Sequence, residues 1–415
     1  MLDPEEQRAG HLGLAFRFSL EWAFNRCIHQ FWVLETDRRR NGFESILMHV
    51  RVLNWNVFLR PPGVQESGSD HKDVRLELIM RKVVQFDIVL LQEMFAVGSS
   101  RLQRLLAFAK EHGLAYHAAP VYPSLWSRQV VDGGVLILSR YPIRLSKTHQ
   151  FTDGCGSDAL AAKGVVYAQI QLGGSPQHVL DVFTTHTQAG DGQVATAVRW
   201  RQLEELAWFV HTNRTPCTPA ILGGDFNLDA RHNVQFAGDA KPIFTKCNES
   251  EGYRRLVRLL SSACSGTPDT AAAVANVLAS AHDVTNANGH GVLSHLWPKA
   301  RVDEVGKCID YLFLLGPSTT SIVHAAIDHG AADDSIVGVH PWPFTHLSDH
   351  WAITATLDVP SVDGISDIHF ESNPSTWSTS SWPFKWTAVV ASASGAIVAI
   401  TFFLLHLLLR FFGEK

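Results

Sequence analysis

Residues 219–227, Pro-Ala-Ile-Leu-Gly-Gly-Asp-Phe-Asn, constrain this chain more than any other stretch. Pro219 to Leu222 is a short, mostly apolar run bounded by turn formers, and so reads as a strand buried on both faces. The pair Gly223-Gly224 is expected to let the backbone turn tightly at the strand's carboxyl end. Asp225 and Asn227 lie two apart and point into the same crevice, where a carboxylate and a carboxamide can orient a water between them. Taken alone, the stretch suits an ordinary strand-to-loop corner with a capping Asp equally well. Its companions decide the matter.

Further apolar runs close on polar residues in the same way. Ile46 to Phe58 reads as a strand with Asn56 near its end, followed by the breaker Pro61-Pro62-Gly63. Val74 to Gln85 has helical spacing, and Asp87 to Leu91 is a buried strand that delivers Gln92-Glu93. That strand, helix, strand order predicts neighbouring strands of one sheet. Leu102 to His112 is a helix and Gly134 to Ser139 a strand; Gly164 to Leu172 and His178 to Thr185 form a hairpin ending at His186. Val194 to His211 is a helix whose inward stripe is Trp200, Leu203, Leu206, Ala207 and Val210. Residues 232–307 read as an insertion over the site, with helices at Tyr253 to Ser262 and, in an Ala-rich stretch, Thr270 to Ala281. Ile309 to Leu315, carrying Asp310, and Ile322 to Ile327 and Trp351 to Leu357 are the last strands, with Ser348-Asp349-His350 just before the final one.

Composition narrows the function. The net charge of −5 supplies no general attraction to phosphate backbones, so no nucleic-acid partner is expected. The six cysteines are scattered without a CxxC pair, which points to free thiols in a reducing compartment rather than to zinc. Residues 1–45 form an N-terminal amphipathic segment. Within it, Phe16, Leu20, Phe24, Phe31 and Leu34 share one side of a helical wheel from 14 to 34, which suits either packing on the catalytic domain or lying on a bilayer. Beyond residue 358 a Ser-, Pro- and Trp-rich linker, 359–386, leads to Thr387 to Leu409, which has no Asp, Glu, Lys or Arg. At about 1.5 Å per residue it is long enough to cross a hydrocarbon core, with Trp382, Trp386, Arg410 and Lys415 as interface anchors. Ala391, Gly395 and Ala399 make a small-residue stripe on which two such helices can pair into a homodimer. With no cleavage-site pattern at the start, a single-pass C-terminal anchor and a cytosolic catalytic domain, 46–358, are expected, with the sequons at Asn213 and Asn248 unmodified.

The polar residues at the strand ends assemble into a chemistry. Mg²⁺ takes hard oxygen ligands and keeps open positions for phosphate and water, which Glu93 with Asn56 can supply. Phosphodiester cleavage also needs an in-line water, a base for its proton, and donors for the charge that develops. His350 suits the base, with Asp310 holding its imidazole in one tautomer, and His186 and Asn227 suit the donors.

These residues stand in the order NWN, QE, THT, GDFN, IDY and SDH. In that ordered set the chain resembles the endonuclease/exonuclease/phosphatase superfamily, which includes deoxyribonuclease I and neutral sphingomyelinases, over residues 51–358. The resemblance implies an α/β fold, a four-layer sandwich of two mixed β-sheets flanked by helices, here followed by the C-terminal transmembrane helix. It also implies Mg²⁺-dependent hydrolysis with Glu93 as metal ligand and Asn56 beside it, His350 as general base and Asp310 as its partner. Asp225 and Asn227 would orient water and phosphate, His186 would stabilise the transition state or assist the leaving group, and Asp349 would orient the metal's water shell.

Three features make the chain look like a neutral sphingomyelinase: the C-terminal anchor, the apolar residues Val121 to Trp126, and Asp158 five residues before Lys163-Gly164. The expected reaction is phospholipase C-type hydrolysis of sphingomyelin or a related sphingophospholipid at a bilayer, with an anionic lipid as the expected class of activator. An inositol-lipid hydrolase and a membrane-anchored nuclease are the alternatives. The neutral sphingomyelinases often carry two C-terminal hydrophobic segments or N-terminal ones, whereas this chain has one clear span.

Overall fold

The computed structural model describes residues 47–360 apart from 65–69, 120–121, 124–126, 174–177, 216–217, 231–249, 266–274, 277–307, 316–319, 329, 331–343 and 345. The N-terminal amphipathic segment, the linker, the predicted membrane span, most of the 232–307 insertion and most of Val121 to Trp126 therefore lie outside the described residues. Among the described residues no helix is long and apolar enough to cross a membrane.

In chain order the elements are β1 (Leu47–Leu59), α1 (Lys72–Val83), β2 (Ile88–Met94), α2 (Arg101–Glu111), β3 (Tyr116–Ala118), β4 (Val131–Asp132), β5 (Leu136–Ser139), β6 (Ile143–Gln150), a 3₁₀ turn (Gly156–Leu160), β7 (Ala161–Ala162), β8 (Gly164–Gln171) and β9 (Val179–His186). Then follow α3 (Gln193–Asn213), β10 (Ala220–Asp225), α4 (Glu251–Ser265), β11 (Ala275–Asn276), β12 (Asp310–Leu315), β13 (Ser321–Asp328) and β14 (Ala352–Pro360). One six-stranded sheet has the order β13-β14-β1-β2-β5-β3, a second β11-β12-β10-β9-β8-β6, and β4 pairs with β7 alone. Both large sheets are mixed: β1 runs parallel to β2 and antiparallel to β14, and β10 runs parallel to β9 and antiparallel to β12.

The period-2 alternation of side chains along each strand builds the layers. Val50 and Val52 of β1 join Ile88 and Leu90 of β2 in a core shared with Val166, Ala168, Val182, Ile221 and Leu312 of the second sheet. The intervening Leu53, Trp55 and Val57 turn the other way, onto Leu76, Ile79 and Val83 of α1 and Leu105 of α2. On the far side, Phe183, Leu222 and Phe313 meet Leu203, Leu206 and Val210 of α3 and Leu256 and Leu260 of α4. The result is helices, sheet, sheet, helices.

Two expectations are corrected. The Ala-rich stretch Thr270 to Ala281 is not a helix where it is described: Ala275 and Asn276 pair with Leu314 and Phe313 as an edge strand, so ladder pairing overrides helical propensity. Gly223 and Gly224 make no turn; both lie inside β10. A Cβ on Gly223 would sit 2.6 Å from Leu90 Cδ1, and one on Gly224 2.2 Å from the Thr185 carbonyl oxygen. Close approach is what these positions require.

Candidate active site

The topology brings the polar strand ends together. β1, β2, β9 and β10 contribute their carboxyl ends, while β12 and β14 run antiparallel to β10 and β1 and contribute their amino ends. Asp225 is thereby registered opposite both Asp310 and His186.

Just beneath this mouth the apolar inter-sheet core gives way to polar cross-links. Gln92 Nε2 donates to Asn54 Oδ1 and to Thr184 Oγ1, each at 3.0 Å, and Asn54 Nδ2 donates to the Tyr311 carbonyl at 3.3 Å. These bonds join the two sheets and set the spacing of the residues above them.

At the centre, His350 Nδ1 lies 2.8 Å from Asp310 Oδ2. His350 Nε2 faces Asn56 Nδ2 at 3.4 Å, Asp225 Oδ2 at 3.9 Å and Asp349 Oδ1 at 4.0 Å. Burial alone would lower the His350 pKa, but Asp310 and Asp349 together hold it well above the ordinary imidazole value. Burial lifts Asp310 to about 6 even though His350 opposes it. Asp225 stays below the usual carboxylate range despite its burial, because His350 faces it and the Asn227 N–H caps it.

Asn56 bridges the carboxylates. Its Nδ2 donates to Glu93 Oε1 at 3.2 Å and to Asp225 Oδ2 at 3.1 Å, while its Oδ1 accepts the Phe58 N–H at 3.1 Å. The amide nitrogen, not the oxygen, therefore faces Glu93, so in this conformation Asn56 orients that carboxylate. Strand alternation would send Glu93 to the same face as Leu91, but φ of +55° at Glu93 re-aims it into the crevice. Asn227, with φ of +48°, is turned similarly; its N–H caps Asp225 Oδ1 at 2.9 Å and its Nδ2 donates to the Thr187 carbonyl at 3.1 Å.

Lys163 closes the other side. Its ammonium reaches Asp158 Oδ2 at 2.6 Å, the Thr187 carbonyl at 2.8 Å and His186 Nε2 at 3.0 Å. Burial, reinforced by Lys163, drives the His186 pKa down to about 3, so this ring is neutral. With Nε2 accepting from Lys163, the proton sits on Nδ1, which is buried and has no hydrogen-bond partner among the described residues.

Several residues that hold the site escape a reading of strand ends. Arg75, fully buried, donates to the carbonyls of Asp70, Val57, Phe58 and Leu347, tying the end of β1 to the segment that carries Asp349 and His350. Its spacing from Ile79 and Val83, four and eight residues on, is the signal that it points inward. Ser348 Oγ donates to the Asn56 carbonyl at 2.7 Å and accepts the His350 N–H at 3.2 Å. Arg199 of α3 donates to the carbonyls of Gln188, Gly190 and Asn227.

The donor set fits a hard divalent cation. Glu93 Oε2 is buried without a partner among the described residues, and burial with the nearby Asp349 charge pushes this carboxyl up to about 7. The His350 and Arg60 charges do not offset that burial, and a buried carboxylate with an oxygen to spare, among further oxygen donors, is what Mg²⁺ takes. Asp225, Asp310 and His350 also lie close enough to converge on an ion, but His350 Nδ1 is already engaged by Asp310, and a ring nitrogen suits softer metals.

A sphingomyelinase of Dictyostelium discoideum is 24% identical over 366 residues, covering 72% of this chain and 77% of that protein. Sphingomyelinase C of Bacillus cereus is 39% identical over 204 residues, which span 43% of this chain and 57% of that protein. Among solved structures, a mutant beta toxin of Staphylococcus aureus with bound magnesium ions superimposes with a TM-score of 0.52 at 22% identity, covering 74% of this chain and 99% of that one. Residues 53–350 match the model of the Endonuclease/Exonuclease/phosphatase family, and the chain belongs to that family.

Proposed function

We propose that the protein is a Mg²⁺-dependent phosphodiesterase that hydrolyses a membrane sphingophospholipid, sphingomyelin or a close relative, in the manner of a phospholipase C. The observation that carries the reading is the His350–Asp310 pair, 2.8 Å apart, sharing one crevice with the buried carboxylate of Glu93, which has an oxygen to spare. The lipid class is supported by the relatives, named as sphingomyelinases, and by the Asp158–Lys163 pair docked on His186.

His350 Nε2 accepts the proton of a water as the water oxygen bonds to phosphorus. The bond from phosphorus to the ceramide oxygen breaks, that oxygen takes a proton from solvent water, and His350 returns the proton it accepted to solvent, so that water and lipid give ceramide and phosphocholine. Asp310 keeps the His350 imidazole in the tautomer that leaves Nε2 free to accept. His186, being neutral, accepts from the Lys163 ammonium through Nε2 and so holds that positive charge beside Asp225, where it can stabilise the developing charge. Asn227 and Asp225 orient the water and a phosphate oxygen. Glu93 would hold Mg²⁺, with Asp349 and Asn56 positioning its surroundings, and the ion would neutralise charge on the phosphate and on the carboxylates that hold the His350 pKa up, which would leave Nε2 free to accept.

The reading includes a membrane context, with residues 387–409 as the anchor and the catalytic domain in the cytosol. Protease added to sealed microsomes should digest the catalytic domain, and glycan on Asn213 or Asn248 would overturn that topology. Activity is tested by incubating the protein and Mg²⁺ with sphingomyelin, an inositol phosphosphingolipid and plasmid DNA in parallel. Ceramide release is expected; nicked plasmid without ceramide would overturn the substrate class.

A further inference from the structure

Glu93 belongs to one large sheet and Lys163 to the approach of the other, yet three consecutive residues touch both. Asp132 of β4 is registered opposite Ala162 of β7, the residue before Lys163. A Cβ on Gly133 would lie 2.4 Å from the Ala162 carbonyl oxygen and 3.3 Å from Lys163 Cα. On the opposite side, the Met94 N–H donates to the Gly134 carbonyl at 2.9 Å, and a Cβ on Gly134 would lie 3.2 Å from Glu93 Cα. Gly134 itself has φ of +66°.

Asp132 fastens this strap. Its Oδ1 accepts the N–H groups of Ala96 at 3.0 Å and Val97 at 3.1 Å, and its Oδ2 that of Gly134 at 3.1 Å. One buried carboxylate thus holds the chain leaving β2 and the chain entering β5 together. A left-handed backbone in a non-glycine residue such as Glu93 persists only where its surroundings over-determine it, and the strap is the part of the structure packed against it.

We infer that Asp132 is a positioning residue: through Gly133 and Gly134 it holds Glu93 and Lys163 at a set separation, so that the two sides of the site keep one geometry. The inference rests on the hydrolase reading only for the roles of Glu93 and Lys163.

The test compares Asp132→Asn with Asp181→Asn. Asp181 is an equally buried carboxylate that accepts from Tyr167 Oη at 2.8 Å, Gln169 Nε2 at 3.2 Å and Thr215 N at 2.7 Å, at the other end of β9 from His186. Asp132→Asn leaves an acceptor for Ala96 and Val97 but sets an amide NH₂ against the Gly134 N–H. For each full-length protein, kcat and KM on sphingomyelin vesicles, the affinity for Mg²⁺ by calorimetry, and Tm are measured.

We expect Asp132→Asn to lower kcat and Mg²⁺ affinity by about 10- to 100-fold with KM little changed. Asp181→Asn is expected to lower Tm while leaving kcat and Mg²⁺ affinity as in the wild type. If Asp132→Asn also lowers only Tm, the positioning role is wrong. Should that variant fail to fold, Gly133→Ala decides, since it keeps the carboxylate and displaces the strap from Ala162: wild-type kcat and Mg²⁺ affinity would then overturn the inference. A wild-type chain that binds Mg²⁺ but releases no ceramide would defeat the substrate reading, and the calorimetry would still decide the role of Asp132.

Discussion

Strand β2 has a carboxylate at each end, Asp87 just before it and Glu93 near its close, roughly 20 Å apart along an extended chain. Asp87 is completed by the chain itself. The Arg51 guanidinium reaches it at 2.9 and 3.0 Å, the Arg51 N–H at 2.9 Å and Arg140 Nε at 3.2 Å. Burial would raise its pKa, but Arg51 more than offsets this and holds the carboxyl below its ordinary range. Glu93 has one amide donor and one oxygen with no partner among the described residues, and its burial, with the Asp349 charge, outweighs the His350 and Arg60 charges and pushes its pKa up to about 7. The two ends of one strand thus carry a carboxylate that the chain pairs directly with arginines and a carboxylate that it leaves with an oxygen to spare. A carboxylate of the second kind persists at a cost in stability, and function is the reason such sites are kept.

The widest gap between the two ends should appear in turnover. Glu93→Ala, Asp225→Ala and His350→Ala are each expected to lower kcat by about a hundredfold or more, whereas Asp87→Ala should leave kcat per folded molecule unchanged. The unfolding midpoint should move the other way. Glu93→Gln relieves a buried charge, and its metal-free Tm should equal or exceed that of the wild type. Retention of more than about a tenth of wild-type kcat by any of the first three would remove that residue from the mechanism.

The next largest effect falls on stability at the other end. Asp87→Ala removes the partner by which Arg51 pins β1 to the start of β2, and one partner of Arg140 just after β5, and denaturant unfolding should show a loss of about 2 kcal/mol. The figure sits below that for a fully enclosed pair because the Arg51 side chain is half exposed, where solvent screens the interaction. A loss within about 0.5 kcal/mol would mean that the network does not serve the fold.

Lys163 sharpens the contrast, since it is a cation the chain does supply to the site, on the side away from Glu93. Lys163→Met removes the charge but fills the volume, and is expected to lower kcat about tenfold on lipid vesicles with circular dichroism unchanged. Wild-type kinetics for this variant would reduce the ion pair with Asp158 to a structural contact.

What the sequence makes legible follows from the same distinction. Asn56, Glu93, His186, Asp225 and Asp310 each interrupt or close an apolar run, so a reading of strand ends collects them, and period-2 alternation separates Val52 from Leu53 without knowledge of either partner layer. The supports are harder to see because their work is tertiary. Arg75 looks like a solvated helix arginine until its carbonyl partners, 5 to 272 residues away, are in place. Asp132 sits among turn formers and is explained by N–H groups from the far side of α2. Strand β6 escapes notice because it is an exposed edge, Ile-Arg-Leu-Ser-Lys-Thr-His-Gln, with little apolar alternation. No local signal marks φ of +55° at Glu93, because a non-glycine residue takes that backbone only under external constraint.

The smallest expected effect is on the pH dependence of stability, and there the two ends of β2 should differ in sign. Asp87 has a folded pKa below its unfolded value of about 3.9, so it contributes stability above that value, which is lost as pH falls through the folded pKa. Glu93 is the reverse. Its carboxyl rises from 4.5 to about 7 on folding, so between those values the folded protein binds the proton more tightly than the unfolded chain, and stability falls as pH rises through that window. Asp310, raised to about 6 by its burial, adds to the same slope, and His186, lowered to about 3, opposes it up to its unfolded value of about 6.5. In EDTA, the Tm of the wild type should therefore increase slightly from pH 7 toward pH 5 and drop below pH 4. Glu93→Gln should flatten the first segment by on the order of 1 kcal/mol, and Asp87→Asn the second. Mg²⁺ should also flatten the first segment while leaving the acid limb intact, because a cation at Glu93 competes with the proton and none is required at Asp87. An Mg²⁺-insensitive slope between pH 5 and 7 would separate the raised carboxyl from the metal site and break the contrast between the two ends.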